Sequence, residues 1–275
     1  MFGSSLRFIC TVRVVIFFFD EDLVSGNPVA PVGNKYKGTP WSNERTVSVK
    51  TIGETKFARC DVHTVKSEDG KSQINDWLFL EEMDAVNVAV VTSEGKFVVF
   101  EQMKYAIPGK TLSPVGGFVD AGEAPWEGAR REVMEELGLG SRKTEQQMTT
   151  IIGGGVVDRS ARISAFAAIP KVTRSLDEFN LAKGDVSGDE DWVYLGKYRT
   201  AANRGGGFIY TYLLKNALPI LPDGGIDRFR MTGDDEIQII KLLSLTEVKE
   251  KIRNGAFQEI KWAATFALSL LHLVE

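Results

Sequence analysis

Cysteine and histidine are almost missing from this chain: its 275 residues include two cysteines, Cys10 and Cys60, and two histidines, His63 and His272. Two thiols exclude a disulfide framework and a cysteine-rich zinc site. Two histidines nearly exclude histidine-ligated metals and histidine-based triads. Catalysis must then run on carboxylates, lysine, arginine, tyrosine or backbone groups. A basic excess is missing too. There are 33 Lys and Arg against 37 Asp and Glu, a net charge of −4. That argues against a nucleic-acid partner, which would need a basic excess or a basic face. The apolar stretch at residues 8–19 is interrupted by Arg13 and is too short to span a bilayer. What remains is ordinary for a globular chain, 43% hydrophobic and 25% charged. That length suits one domain with extensions or two small ones, with a core that needs no staples.

The N-terminal stretch has two readings: a cleaved targeting segment or, from its β-branched content, a buried strand. The compartment, cytoplasmic or organellar, turns on that choice. Residues 20–44 carry several Gly, Pro, Asn and Ser and read as a linker. Residues 1–44 are therefore set apart as an extension, and residues 45–275 as the domain. Strands are predicted at 45–52, where Val47, Val49 and Ile52 would face one way, and at 57–65 and 77–82. Residues 85–92 and 96–102 flank the turn Ser93-Glu94-Gly95 and read as a hairpin. No period is visible over 141–190, which reads as an insertion or long loop. Strand character resumes at 192–200. The Asn203–Gly207 stretch, with three glycines, reads as a flexible loop before a strand at 208–214, and a further strand is expected at 236–243. Ser244 and Glu247 have capping-box spacing at the start of a helix, Gly255 suits its end, and 260–274 reads as a second, apolar helix. Strands with interspersed helices give an α/β class with a mixed sheet.

One segment carries most of the chemical information: GFVDAGEAPWEGARREVMEELGL, residues 117–139. Gly117 is followed after five residues by Glu123, after seven more by Arg131-Glu132, then by Glu135-Glu136 and by Gly138-Leu139. At ~7% usage per residue type, seven such fixed matches arise by chance at roughly 10⁻⁸ per start position. Pro125 suits the first turn of a helix, and Gly138 its end. Gly116 and Gly117 suit a sharp backbone turn. Ala129, Val133 and Leu137 recur every four residues and predict a buried stripe. Glu132, Glu135 and Glu136 fall on a neighbouring face. Three carboxylates so close repel one another unless a cation lies among them, and a hard divalent ion, Mg²⁺ or Mn²⁺, suits all-oxygen ligands.

This spacing resembles the signature of the Nudix hydrolases. The resemblance implies an α/β/α sandwich with a mixed sheet and a catalytic loop-helix. It implies metal-dependent hydrolysis of a nucleoside diphosphate linked to another group, by attack of water on one phosphorus. It implies metal ligation by Glu132, Glu136, Glu135 and the carbonyl of Gly116, with Glu132 and Glu135 also in catalytic positions. Gly117, Glu123, Arg131 and Gly138 would be structural, with Glu123 and Arg131 paired to lock the loop on the helix.

The flanks look most like ADP-ribose pyrophosphatases, which implies a small nucleotide-sugar substrate. Gln102 and Lys104 stand where those enzymes have a Gln-x-Arg strand end that approaches the phosphates. Lys104 in place of arginine loses bidentate pairing. Asp234 and Glu236 stand where they carry the general base, and Arg204 is a further candidate for phosphate or sugar contact. Trp77 reads as a core residue or as a face for a base. Strands before the signature often mediate dimers in that subfamily, which favours a homodimer. Two other readings stay open: a Nudix hydrolase for a dinucleotide such as NADH or for a nucleoside triphosphate, and a nucleotide-binding module without turnover.

Overall fold

The computed structural model describes residues 35–153, 155, 157–171, 185–186, 188–222, 230–231 and 237–274. The first strands, β1 (Thr46–Glu54), β2 (Ala58–Lys66) and β3 (Gln73–Glu82), form an antiparallel meander. They are followed by β4 (Ala85–Thr92), β5 (Phe97–Met103), β6 (Lys110–Ser113), β7 (Val115–Phe118) and the helix α1 (Pro125–Leu137). Next come β8 (Leu139–Gly140), α2 (Arg142–Ile152), α3 (Arg159–Ala167), β9 (Asp185–Val186) and the long pair β10 (Asp189–Ala201) and β11 (Gly205–Pro219). The chain ends with β12 (Arg230–Met231), β13 (Ile237–Leu243), α4 (Leu245–Arg253) and α5 (Ile260–Val274).

The sheet is mixed, in the order β1-β2-β3-β11-β4-β5-β13-β12. At its centre β4 runs parallel to β11, with Val88 opposite Tyr212, and antiparallel to β5 and β7. β4 is apolar at nearly every position because both its faces are covered. Val86, Val88 and Val90 meet Ala129, Val133 and Leu137 of α1. Ala89 and Val91 meet Trp262, Phe266 and Leu270 of α5 on the other side. This is the α/β/α sandwich, and α1 is fixed to it by its apolar stripe. Behind the stripe, Trp126 meets Trp192 edge to face with ring centroids 4.7 Å apart, and Tyr212 lies against both. Truncating Trp192, which is 2% exposed, to Ala should cost about 4 kcal/mol and lower the thermal midpoint by roughly 10 °C. A shift under 3 °C would show that this cluster does not anchor α1.

Several local expectations change. Val47, Val49 and Ile52 all lie on an exposed edge strand, 46%, 42% and 56% accessible, because among the described residues no layer covers β1. Helices α2 and α3 stand inside the aperiodic stretch 141–190. The side chains of Ser141 and Asp158 cap their first turns. Met148, Ala165 and Ile169 close a small core against Met134 and Ile220. Gly205, Gly206 and Gly207 belong to β11 rather than to a loop. A side chain at Gly207 would strike the Met83 carbonyl, so glycine serves the close approach of two backbones there. The capping box at Ser244 and Glu247 is complete, with the amide of Ser244 donating to Glu247 Oε2 at 2.7 Å. No helix among the described residues is long and apolar enough to cross a membrane.

Candidate active site

The site is built on β7, the loop 119–124 and α1. Gly116 and Gly117 form part of β7, paired with Asn87 and Val86 of β4, so they extend the sheet where a turn was expected. Their lack of side chains has another use. A Cβ at Gly117 would strike the carboxylate of Glu132; the glutamate fills that space and lies directly against the strand. Pro125 opens α1, and Gly138 ends it in a left-handed conformation with φ 66°.

Arg131 organises the acidic groups. Its Nε and Nη2 donate to the two oxygens of Glu123, both at 3.0 Å, and Nη2 also donates to the Phe118 carbonyl at 3.0 Å. Its Nη1 donates to Glu132 at 2.6 Å and to Glu135 at 3.2 Å. One guanidinium thus ties the loop, the strand end and two carboxylates of the helix together. Burial works against ionisation of Glu123, but Arg131 outweighs it and holds that carboxyl below its ordinary range. Glu132 is raised, chiefly by burial, which Arg131 only partly offsets.

Glu136 lies on the other side of the row. Its Oε2 accepts from the Gly116 amide at 3.3 Å. Burial, reinforced by the charge of Glu132, pushes it up to about 8. Lys104 is the nearby cation that opposes this rise, together with hydrogen bonds from Gly116 and Gln238. Glu132 and Glu136, both raised by burial, with one oxygen against a strand amide and a glycine cradle filled by Glu132, fit a divalent cation: the ion would supply the charge that Arg131 alone does not.

Of the remaining residues singled out in the sequence, Gln102 reaches Glu136 only through Gln238, and Arg204 lies elsewhere. Gln102 is buried, donating to Ser113 Oγ at 2.5 Å and accepting from Gln238 at 3.2 Å, so its amide fastens β5 to its neighbours. Arg204 caps the β10–β11 turn with its guanidinium 5.3 Å over the Trp77 ring, while Trp77 donates to the Asn203 carbonyl at 2.8 Å. Neither contact involves the acidic helix. Asp234 and Glu236 lie outside the described residues.

Beside the loop lies a cavity of about 480 Å³ that the sequence had not located. Glu123 and Glu81 line it together with Trp41, Lys197, Arg199 and Phe208. Trp41 and Phe208 meet edge to face at 6.0 Å. Arg199 sits 5.0 Å over the first ring and 4.5 Å over the second, and Lys197 is 4.0 Å over Phe208. The signal available was the alternation Lys197-Tyr198-Arg199 along one strand face. Trp41 was hidden in what reads as a linker, yet residues 35–44 belong to the same compact unit as the rest, which spans Lys35–Glu275.

A mixed sheet thus lies between helices, with an arginine-locked loop and a row of glutamates at its end. Residues 81–264 match the family model described as the NUDIX domain. That is well over half of the chain, which therefore belongs to the Nudix family of pyrophosphohydrolases. No curated protein matches the sequence. Among solved structures, the chain is similar to one titled "Crystal structure of ADP compounds hydrolase", with a TM-score of 0.53 at 12% identity over 86% of this chain and 97% of that one. At that identity the likeness is one of fold.

Proposed function

We propose that the chain hydrolyses ADP-ribose or a related nucleotide sugar to a nucleoside monophosphate and a sugar phosphate, with Mg²⁺ or Mn²⁺ held by Glu132, Glu135, Glu136 and the Gly116 carbonyl. The observation that carries this reading is the cavity. Carboxylates, cations and aromatic rings line it together. A nucleoside diphosphate needs both: rings to stack a base and cations for phosphate oxygens. The name of the similar solved structure supports the same substrate class.

When bound, the metal would neutralise charge developing on the pyrophosphate and ease ionisation of the attacking water. The chain's own residues do the rest. Arg131 keeps Glu132 and Glu135 turned toward the loop. Gly117 leaves room for Glu132 against the strand. Lys197 and Arg199 orient the phosphates, and Trp41 and Phe208 hold the base. Glu236, or else Asp234, is proposed as the base that takes the proton from water. The apolar residues left exposed on the first three strands, Leu78 and Leu80 among them, support a homodimer.

Incubation of the full chain with ADP-ribose, other nucleotide sugars, NADH and nucleoside triphosphates, with Mg²⁺ or Mn²⁺, tests the proposal. AMP and ribose 5-phosphate from ADP-ribose are the expected products. Turnover confined to NADH or to triphosphates would replace the substrate assignment. Tight nucleotide binding with no hydrolysis across the panel would overturn the catalytic one.

A further inference from the structure

A second group of metal-ligating side chains lies away from α1, on β2 and β3. Strand alternation puts Arg59, Asp61 and His63 on one face of β2. Glu81 of β3 stands opposite Arg59 in the register and joins that face. Asp61 is fully buried, and His63 and Glu81 are each 2% exposed. One ligand atom from each of Asp61, His63 and Glu81 comes within 4.8 Å of the other two.

The hydrogen bonding of this trio is incomplete. Asp61 Oδ1 and His63 Nε2 are buried without a hydrogen-bond partner. The nearest approach of His63 Nε2 to Asp61 is 3.8 Å, to Oδ2, too long for a hydrogen bond. Buried orphan groups of this kind are uncommon and call for a ligand. The other positions are already fixed. Arg59 holds Asp61 Oδ2 with Nε at 2.9 Å and Nη2 at 2.6 Å, which orients the carboxylate and leaves Oδ1 free. Glu81 accepts the Trp41 amide at 2.5 Å. The His63 ring lies on Phe79 with centroids 4.8 Å apart. Such outer contacts are what set ligands around an ion.

We propose that Asp61, His63 and Glu81 form a binding site for a borderline-soft divalent cation, Zn²⁺ foremost, separate from the acidic helix. An imidazole nitrogen with two carboxylates favours zinc over magnesium. Ligands of a tetrahedral zinc ion are roughly 3.4 Å apart, so closing around it takes shifts on the order of 1 Å. Three protein ligands leave a fourth position for water. Arg59 and the nearby Arg199 offset the carboxylates electrostatically, yet neither donates to Asp61 Oδ1 or to His63 Nε2. The cation's role is structural. Through Glu81 it fastens Trp41, and with it the chain segment that walls the cavity.

The experiment uses the full chain carrying Glu132→Gln and Glu136→Gln, which removes ligands from the acidic helix. This parent is stripped with a chelator, loaded with Zn²⁺ or Co²⁺ and passed over a desalting column. About one equivalent of zinc retained, a tetrahedral Co²⁺ absorption spectrum and a raised thermal midpoint are expected. His63→Ala and Asp61→Asn in that background should each weaken retention by more than 100-fold. Should either variant fail to fold, the ¹⁵N imidazole signals of His63 in the parent, assigned with His272→Gln, give an independent reading: displacement on adding Zn²⁺ supports the site. A folded parent that retains no zinc, a His63 signal that does not move, or retention unchanged by either substitution would overturn it.

Discussion

Replacing Glu136 by Gln is expected to lower kcat by about 10³-fold and, at the same time, to raise the thermal midpoint of the metal-free protein above pH 7. The first effect follows from its proposed place among the metal ligands. Charge stabilisation by a bound ion is worth several kcal/mol, and each ~1.4 kcal/mol is tenfold in rate. The second follows from its burial. In the folded chain Glu136 keeps its proton up to about 8, against an ordinary value of 4.5. Between these limits the folded state binds a proton that the unfolded state has released. Its contribution to stability is therefore fully present below 4.5 and is lost as pH rises through about 8. Glu132 is shifted the same way. Thermal unfolding in EDTA from pH 5 to 9 should show the original chain losing stability relative to the Glu136→Gln variant across that window. Added Mg²⁺ should recover the loss only in the original chain. Equal pH profiles for the two chains, or kcat within tenfold, would remove Glu136 from the site.

The Arg131→Met variant should be the most destabilised of the substitutions in the loop-helix, by about 3 kcal/mol, or roughly 8 °C. The substitution keeps most of the apolar stem and deletes the guanidinium. Glu123, Glu132 and Glu135 then lose their common partner together, and the loop carbonyl of Phe118 loses a donor. Glu123→Gln removes one carboxylate but leaves Arg131 bonded to Glu132, so its cost should be clearly smaller. Mg²⁺ should restore part of the Arg131→Met loss, because the cation takes up the freed charge of Glu132. Calorimetry of the two variants with and without Mg²⁺ decides this. A Glu123→Gln loss equal to that of Arg131→Met would reduce Arg131 to a simple ion-pair partner.

The sequence made the loop-helix segment legible because its constraints are local. Pro125 and Gly138 mark the two ends of the helix, and Ala129, Val133 and Leu137 mark its buried face. The hairpin of β4 and β5 announced itself through its turn, where Gly95 takes φ 73°. What escaped was set by contacts distant in the chain. Gly205, Gly206 and Gly207 look like freedom in a sequence, but here they mark where β11 presses on β3 and on Met83. Residues 142–152 and 159–167 form helices whose apolar sides are short and whose partners, Met134 and Ile220, lie elsewhere in the chain. The scarcity of histidine drew no attention to His63, which the pairing of β2 with β3 gathers with Asp61 and Glu81. Trp41 and Arg199 meet only in three dimensions.

The parallel pairing of β4 with β11 has a consequence for how the chain assembles. It joins Ala85 to Ile209 and Thr92 to Ala217, across a loop of more than a hundred intervening residues. Closing so long a loop costs entropy before any contact repays it. The β4–β5 hairpin, with β7 and α1 close behind in sequence, can form while β11 is still unattached. The glutamates would then be assembled on their helix early, and the central strand that covers the edge of β4 arrives later. During that interval β4 presents an open edge, which makes the late step the one most exposed to aggregation.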